Sequence, residues 1–253
     1  MKVSVVCAPF PMTFNVSENL RRMMDVLDQC AAHDVVVFPE ASLSGYSDDI
    51  AFLADIDQKR VSEGLGVLQS IARQKHVHVF AGACRQDDQG WRNQAYYLAP
   101  DGARVVYNKA NLATHERGHM VAGNSLPIFH VRLPDGILHV GVQLCREIRF
   151  PGQWRALAEA GAELFVYMTH AIDDAMHRPV WRSHLVSRAA ENQRWLAAVN
   201  VAHREQLCPS MVIDPAGLVL REIVSEHTDL IRAEIDTNAV SNWYLNQRRA
   251  DLT

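Results

Sequence analysis

The chain has no CxxC pair, no apolar run near the roughly 20 residues that a membrane-spanning helix needs, and no excess of basic residues. Each absence excludes something. The five cysteines, Cys7, Cys30, Cys84, Cys145 and Cys208, are odd in number and widely scattered, which fits reduced thiols and not a disulfide framework. Lys and Arg number 25 against 29 Asp and Glu, a formal charge of −4, so there is no electrostatic footprint for a nucleic acid or an anionic membrane surface. The first residues reach Pro and Asn without a signal-like cleavage pattern, and a cytoplasmic protein is expected. With 253 residues, 48% of them hydrophobic and 21% charged, the composition is that of a globular chain able to build one large core without disulfides or a structural metal.

Short β-branched or aromatic runs recur at 3–6, 35–38, 77–80, 95–98, 104–107, 128–131, 138–142, 164–167, 196–199, 211–213, 218–220 and 230–233. Pro100-Asp101-Gly102, Pro134-Asp135-Gly136 and Asp214-Pro215-Ala216-Gly217 join neighbouring runs closely enough for hairpins. Helices are expected after a Ser17 N-cap, where Leu20, Met23, Met24 and Leu27 share a face, and over about 58–75, 152–160 and 179–194. No linker or internal repeat divides the sequence, so a single α/β domain over 1–253 is expected. Runs such as 35–38 are apolar on both faces, and there are more strands than one twisted open sheet comfortably holds, about ten. Two sheets packed face to face with helices outside meet both demands.

Three strand ends carry reactive side chains. Cys145 follows a strand pattern and precedes Arg146–Phe150 and Pro151, which suits the first turn of a helix. A lone cysteine is most often a small buried hydrophobe. A strand-to-helix corner instead lifts a thiol out of the core and offers backbone N–H groups to an oxyanion, as a nucleophile requires. Glu40 closes the apolar run Val35-Val36-Val37-Phe38-Pro39, and the little charge in Ala41–Tyr46 favours its burial, as for a general base. Lys109 ends Arg104–Asn108 and by itself reads as a surface lysine.

Together, Phe38-Pro39-Glu40, Tyr107-Asn108-Lys109-Ala110-Asn111-Leu112 and Leu144-Cys145-Arg146-Glu147-Ile148-Arg149-Phe150-Pro151 resemble, in order and spacing, the three signatures of the nitrilase or carbon–nitrogen hydrolase superfamily. Ser42–Tyr46, Arg188-Ala189-Ala190-Glu191-Asn192 and Ser210–Gly217 resemble further segments of it. The resemblance implies an α-β-β-α sandwich that commonly dimerises, and a Glu-Lys-Cys triad of Glu40, Lys109 and Cys145. It implies that Cys145 attacks an amide or nitrile carbon, that Glu40 moves protons, and that Lys109 with the Arg146 N–H holds the developing negative charge. Glu116 matches a second glutamate that orients Lys109 or the substrate. Tyr46, Arg146, Glu147 and His170 are candidate substrate-binding residues, with Arg146 suited to a substrate carboxylate and hence to ω-amides. Asp173 and Asp174 are placed to attract an amine. Small aliphatic or ω-amides are the expected substrates, with N-carbamoyl amines or nitriles as alternatives through the same thiol adduct. No cofactor or metal is expected.

Three features depart from this reading. His115-Glu116-Arg117-Gly118-His119 matches H-E-x-x-H, a zinc-hydrolase motif that needs both histidines one helical turn apart, although Gly118 argues against a helix there. Arg146 stands where the family commonly has an aromatic residue, and Ala250 replaces the proline of the family's Arg-x-x-Arg-Pro-Asp ending, so dimer contacts from a long tail are not expected.

Overall fold

The computed structural model describes residues 1–249 and 251. Elements follow in the order β1 (Lys2–Cys7), α1 (Val16–Leu27), β2 (Val35–Val37), α2 (Gln58–Lys75), β3 (His78–Asp87), β4 (Gly90–Leu98), β5 (Arg104–Asn108), β6 (Ile128–Leu133), β7 (Gly136–Leu144), α3 (Pro151–Glu159), β8 (Leu164–Thr169), α4 (Arg178–Asn192), β9 (Trp195–Asn200), β10 (Ser210–Ile213), β11 (Val219–Ile223) and β12 (Ile231–Asp236). One sheet has the order β12-β1-β2-β3-β4-β5 and the other β11-β10-β9-β8-β7-β6. In each, three central strands are parallel, β1 to β3 and β7 to β9, and the outer pairs are antiparallel.

Alternation sorts the apolar side chains into layers. Val5, Val35, Val37, Tyr97, Val140, Val142, Val166 and Val199 meet in the core between the sheets. Val6, Val36, Phe38, Val79 and Leu98 on the outer face of the first sheet cover Met23, Leu27, Leu65 and Leu68 of α1 and α2. Phe165, Tyr167, Leu196 and Ala198 do the same for Trp154, Leu157 and Leu185 of α3 and α4. The result is the four-layer α-β-β-α sandwich, and the expected hairpins join β4 to β5, β6 to β7 and β10 to β11.

Two sequence expectations need correction. The N-cap of α1 is Asn15, not Ser17: its Oδ1 accepts from the N–H groups of Ser17 and Glu18 at 3.0 and 3.2 Å, so Ser17 already lies in the first turn. α4 stops at Asn192, because Gln193 adopts the left-handed conformation at φ 52°. Without any repeat in sequence, the topology is doubled: parallel strands alternating with helices, then two antiparallel strands, recur in both halves, with β12 flanking β1 as β6 flanks β7. Ala250 lies outside the described residues.

Close backbone approach fixes the turn after β2. Leu43 N–H donates to the Gly82 carbonyl at 2.9 Å, the Gly82 N–H to Ser42 Oγ at 2.9 Å, and the Cys84 N–H to Ser44 Oγ at 2.9 Å. A Cβ on Gly82 would stand 2.2 Å from the Ala41 nitrogen and 2.8 Å from the Glu40 carbonyl carbon, both rigid backbone. Gly82→Ala is therefore expected to cost about 3 kcal/mol, the upper end of overpacking penalties. Gly66→Ala, exposed in α2 with nothing near the added carbon, is expected to stabilise by about 0.5–1 kcal/mol. Urea unfolding of both variants checks the pair, and unchanged midpoints would contradict it.

Candidate active site

Lys109 follows directly on β5, anchored by its N–H to the Asn93 carbonyl and by its own carbonyl to the Gly123 N–H, each at 2.9 Å. Its side chain is fully buried. The ammonium lies 2.9 Å from Glu40 Oε1 and 3.0 Å from Glu116 Oε1, and both carboxylates are fully buried as well. Burial works against the charge on Lys109, but the two carboxylates outweigh it and hold the ammonium above the ordinary lysine range. Asn93 Nδ2 donates to the same two oxygens, 2.8 Å to Glu40 and 2.9 Å to Glu116.

The two glutamates are not equivalent. Glu116 Oε1 also accepts from the Tyr46 hydroxyl at 2.8 Å, and its Oε2 from the Ala113 N–H at 2.5 Å. Burial raises its pKa, yet Lys109, Asn93 and Ala113 more than reverse this and hold it below the usual glutamate range. Glu40 Oε2 accepts only the His170 N–H, at 3.0 Å, and keeps lone-pair capacity.

Cys145 opens the 3-10 turn Cys145–Arg149 at the end of β7, with φ 38°, a left-handed conformation costly for a residue with a Cβ. Cys145 lines a cavity of about 90 Å³ together with Tyr46, His115, Arg146, His170 and Asp173. Burial pushes the thiol pKa up to about 12; Glu40 adds to the rise, and Lys109 and Thr169 oppose it. His170 packs its ring 5.5 Å from that of Tyr46, and burial pushes its pKa down to about 4, which leaves a neutral imidazole near neutral pH. Arg146 reaches the same wall, and its buried Nε has no hydrogen-bond partner among the described residues.

Glu147 is not where substrate binding requires it. Its Oε1 accepts from the Tyr107 hydroxyl and the N–H groups of Ala110 and Asn111 at 2.6, 2.8 and 2.9 Å, and its Oε2 from the Leu144 N–H at 2.7 Å. Fully buried and committed to these donors, the carboxylate has no free face for a ligand. The zinc motif is likewise corrected: His115 to His119 run through turns with Gly118 at φ 82°, His119 is exposed, and Glu116 is occupied by Lys109. Among the described residues, no group of three or more His, Cys, Asp or Glu is arranged to hold a metal ion. Asn93 and Thr169 escaped the sequence reading. Asn93 carried one signal, a fully buried polar side chain in the middle of a strand whose outer half is apolar.

The sequence model of the carbon–nitrogen hydrolase family matches residues 2–244. The chain belongs to this family. Among curated relatives, an (R)-stereoselective amidase of Pseudomonas sp. is 32% identical over 93% of this chain and 87% of its own length. A 2-oxoglutaramate amidase of Bacillus subtilis (strain 168) is 30% identical over 93% and 92%. In fold, a carbon–nitrogen hydrolase from Helicobacter pylori G27 superposes with a TM-score of 0.85 at 18% identity, covering 99% of this chain and 96% of that one.

As a carbon–nitrogen hydrolase, the chain is an enzyme acting on C–N bonds other than peptide bonds. The buried charges bear on its resting state. Lys109 is already shared by two carboxylates, and its pull on the thiol is outweighed by burial and by Glu40. Alkylation of Cys145 by iodoacetamide is therefore expected to accelerate about tenfold per pH unit from about pH 7 to 9, following the minor thiolate fraction. A rate that levels off near pH 7 would reveal a resident thiolate instead.

Proposed function

We propose that the protein hydrolyses a small amide to a carboxylate and ammonia, with Cys145 as nucleophile, Glu40 as proton carrier, Lys109 as oxyanion donor and Glu116 as the group that orients Lys109. The observation that carries this is the ammonium of Lys109 lying between Glu40 and Glu116, with Cys145, which lines a small cavity, close enough for Glu40 and Lys109 to act on its thiol. Saturated by four donors, Glu116 stays ionised and takes no part in proton transfer. Glu40 takes the thiol proton as Sγ bonds to the carbonyl carbon. Lys109 has three N–H bonds and spends two on carboxylates, which leaves the third for the oxyanion, joined by the Arg146 N–H. Glu40 then gives its proton to the departing nitrogen and the C–N bond breaks. Water, deprotonated by Glu40, cleaves the thioester, and the thiol is restored.

The amide reading draws on the amidase names of the relatives, and the cavity's size favours a short acyl chain. Arg146, which lines the cavity and whose Nε has no partner among the described residues, suits a carboxylate at the far end of that chain, as in an ω-amide. A panel of amides, N-carbamoyl amines and nitriles assayed for turnover separates the family's alternatives. We further infer a homodimer in a reducing, cytoplasmic setting. The dimer draws on the family resemblance, with Met176 and Val180 at the start of α4 and Trp243 and Tyr244 by its end as exposed apolar side chains, and the reducing setting on five free cysteines. Sedimentation tests the dimer.

Cys145→Ala is expected to lower ammonia release by about 10⁴-fold or more while the thermal transition stays in place. Turnover that persists in this variant removes the reading. Arg146→Gln is expected to raise KM for acidic ω-amides roughly 10- to 100-fold and to leave neutral amides of equal length nearly unchanged, the value of a charge-assisted hydrogen bond. Equal losses on both substrates would assign Arg146 to the fold instead.

A further inference from the structure

We infer that Glu147 is a positioning residue, a single carboxylate that sets the separation between the turn carrying Cys145 and the strand end carrying Lys109; this rests on the thiol-hydrolase reading above. The two groups come from different sheets, Lys109 from the end of β5 and Cys145 from the end of β7, so no strand ladder joins them. Apolar packing between the sheets is non-directional and does not specify a reaction geometry. Glu147 supplies the missing direction. Its Oε2 accepts from Leu144, the residue before the nucleophile, and its Oε1 from Ala110 and Asn111, the residues after the lysine. The Tyr107 hydroxyl donates to the same Oε1 from within β5.

The rest of the residue is held just as firmly. Its backbone carbonyl accepts the Trp154 Nε1–H at 2.9 Å from α3, and the bond from Leu144 N–H to its carboxylate spans the start of the turn Cys145–Arg149. That turn holds Cys145 at φ 38°, a conformation that relaxes unless its surroundings over-determine it. All four donors to the carboxylate are neutral. A buried carboxylate without a cation beside it is an expensive way to secure a fold, and an apolar side chain of similar size would pack the site more cheaply. What the carboxylate does that an apolar group does not is accept from both strand ends at once.

Glutamine keeps the shape but presents one oxygen and one NH₂ to donors on both sides, so one strand end must let go. Displacements near 1 Å at a reaction centre cost about 100-fold in rate. Glu147→Gln is thus expected to lower kcat about 100-fold with KM within threefold, and to change the rate at which iodoacetamide captures Cys145. Glu147→Asp, which restores the charge one methylene short, should recover part of kcat. Should the glutamine variant fail to fold, Glu147→Asp and Tyr107→Phe, which removes one donor, supply the test, each expected to reduce kcat with KM kept. Folded variants that retain kcat within threefold, whatever their melting temperature, overturn the role, as does a rise in KM alone. Cys145→Ala is assayed alongside. If that variant still turns over, the underlying chemistry is wrong; if it is dead while the Glu147 and Tyr107 variants remain fast, only the positioning role is lost.

Discussion

An ammonium held between two carboxylates, with none of the three in contact with bulk water, constrains everything around it. Each charge would be costly in isolation, and removing one partner from such a buried pair typically costs about 3–5 kcal/mol because it strands the other. The set carries one more negative charge than positive, so it needs neutral donors, and Asn93, Tyr46 and backbone N–H groups supply them. Their uneven distribution separates the two glutamates chemically. Glu116 receives four donors and becomes a fixed anion, whereas Glu40 retains an open lone pair on the oxygen bonded to His170. One lysine thereby gives two identical side chains the unequal surroundings that the proposed roles of support and base require.

The doubled topology explains how distant segments reach this point. Ligands of parallel sheets gather beyond the carboxyl ends of the strands, and here the ends of β2, β7 and β8 supply Glu40, Cys145 and His170. β2 and β8 occupy equivalent places in the two halves, and the bond from His170 N–H to Glu40 Oε2 joins their ends. Lys109 is different. It leaves an antiparallel edge strand and is locked by Asn93 of β4, so its placement depends on a hairpin that neither the parallel strands nor their helices control.

Much of this was legible in the residue order. Every apolar run became a strand because alternation and β-branching act locally, and the three signatures stand at strand ends, where chemistry is commonly found. Side-chain partnerships across the sandwich were another matter. Glu147 read as a substrate ligand because its neighbour Cys145 does the chemistry, yet a side chain three positions into a tight turn folds back on that turn's own backbone, and nothing local reveals that Ala110 and Asn111 lie opposite. Asn93 was passed over for the same reason, since its partners Glu40 and Glu116 are far from it along the chain. The topological repeat left no trace in sequence because strand order is set by burial pattern, which many sequences satisfy.

Acidity does not single out the nucleophile. Burial raises the pKa of Cys7, Cys30, Cys84 and Cys208 as it does that of Cys145, to about 12 for Cys7 and about 11 for Cys30. A search for a depressed thiol pKa would therefore select none of the five. Nor do the fields of Glu40 and Lys109, which reach Cys84 as well, single it out; what separates Cys145 is that it lines a cavity and opens a turn at φ 38°. A neutral thiol beside a base with a vacant lone pair has to be deprotonated in step with attack, so the electrophile itself must be present before the sulfur becomes reactive. On the proposed mechanism, selectivity then resides in the cavity and not in the sulfur.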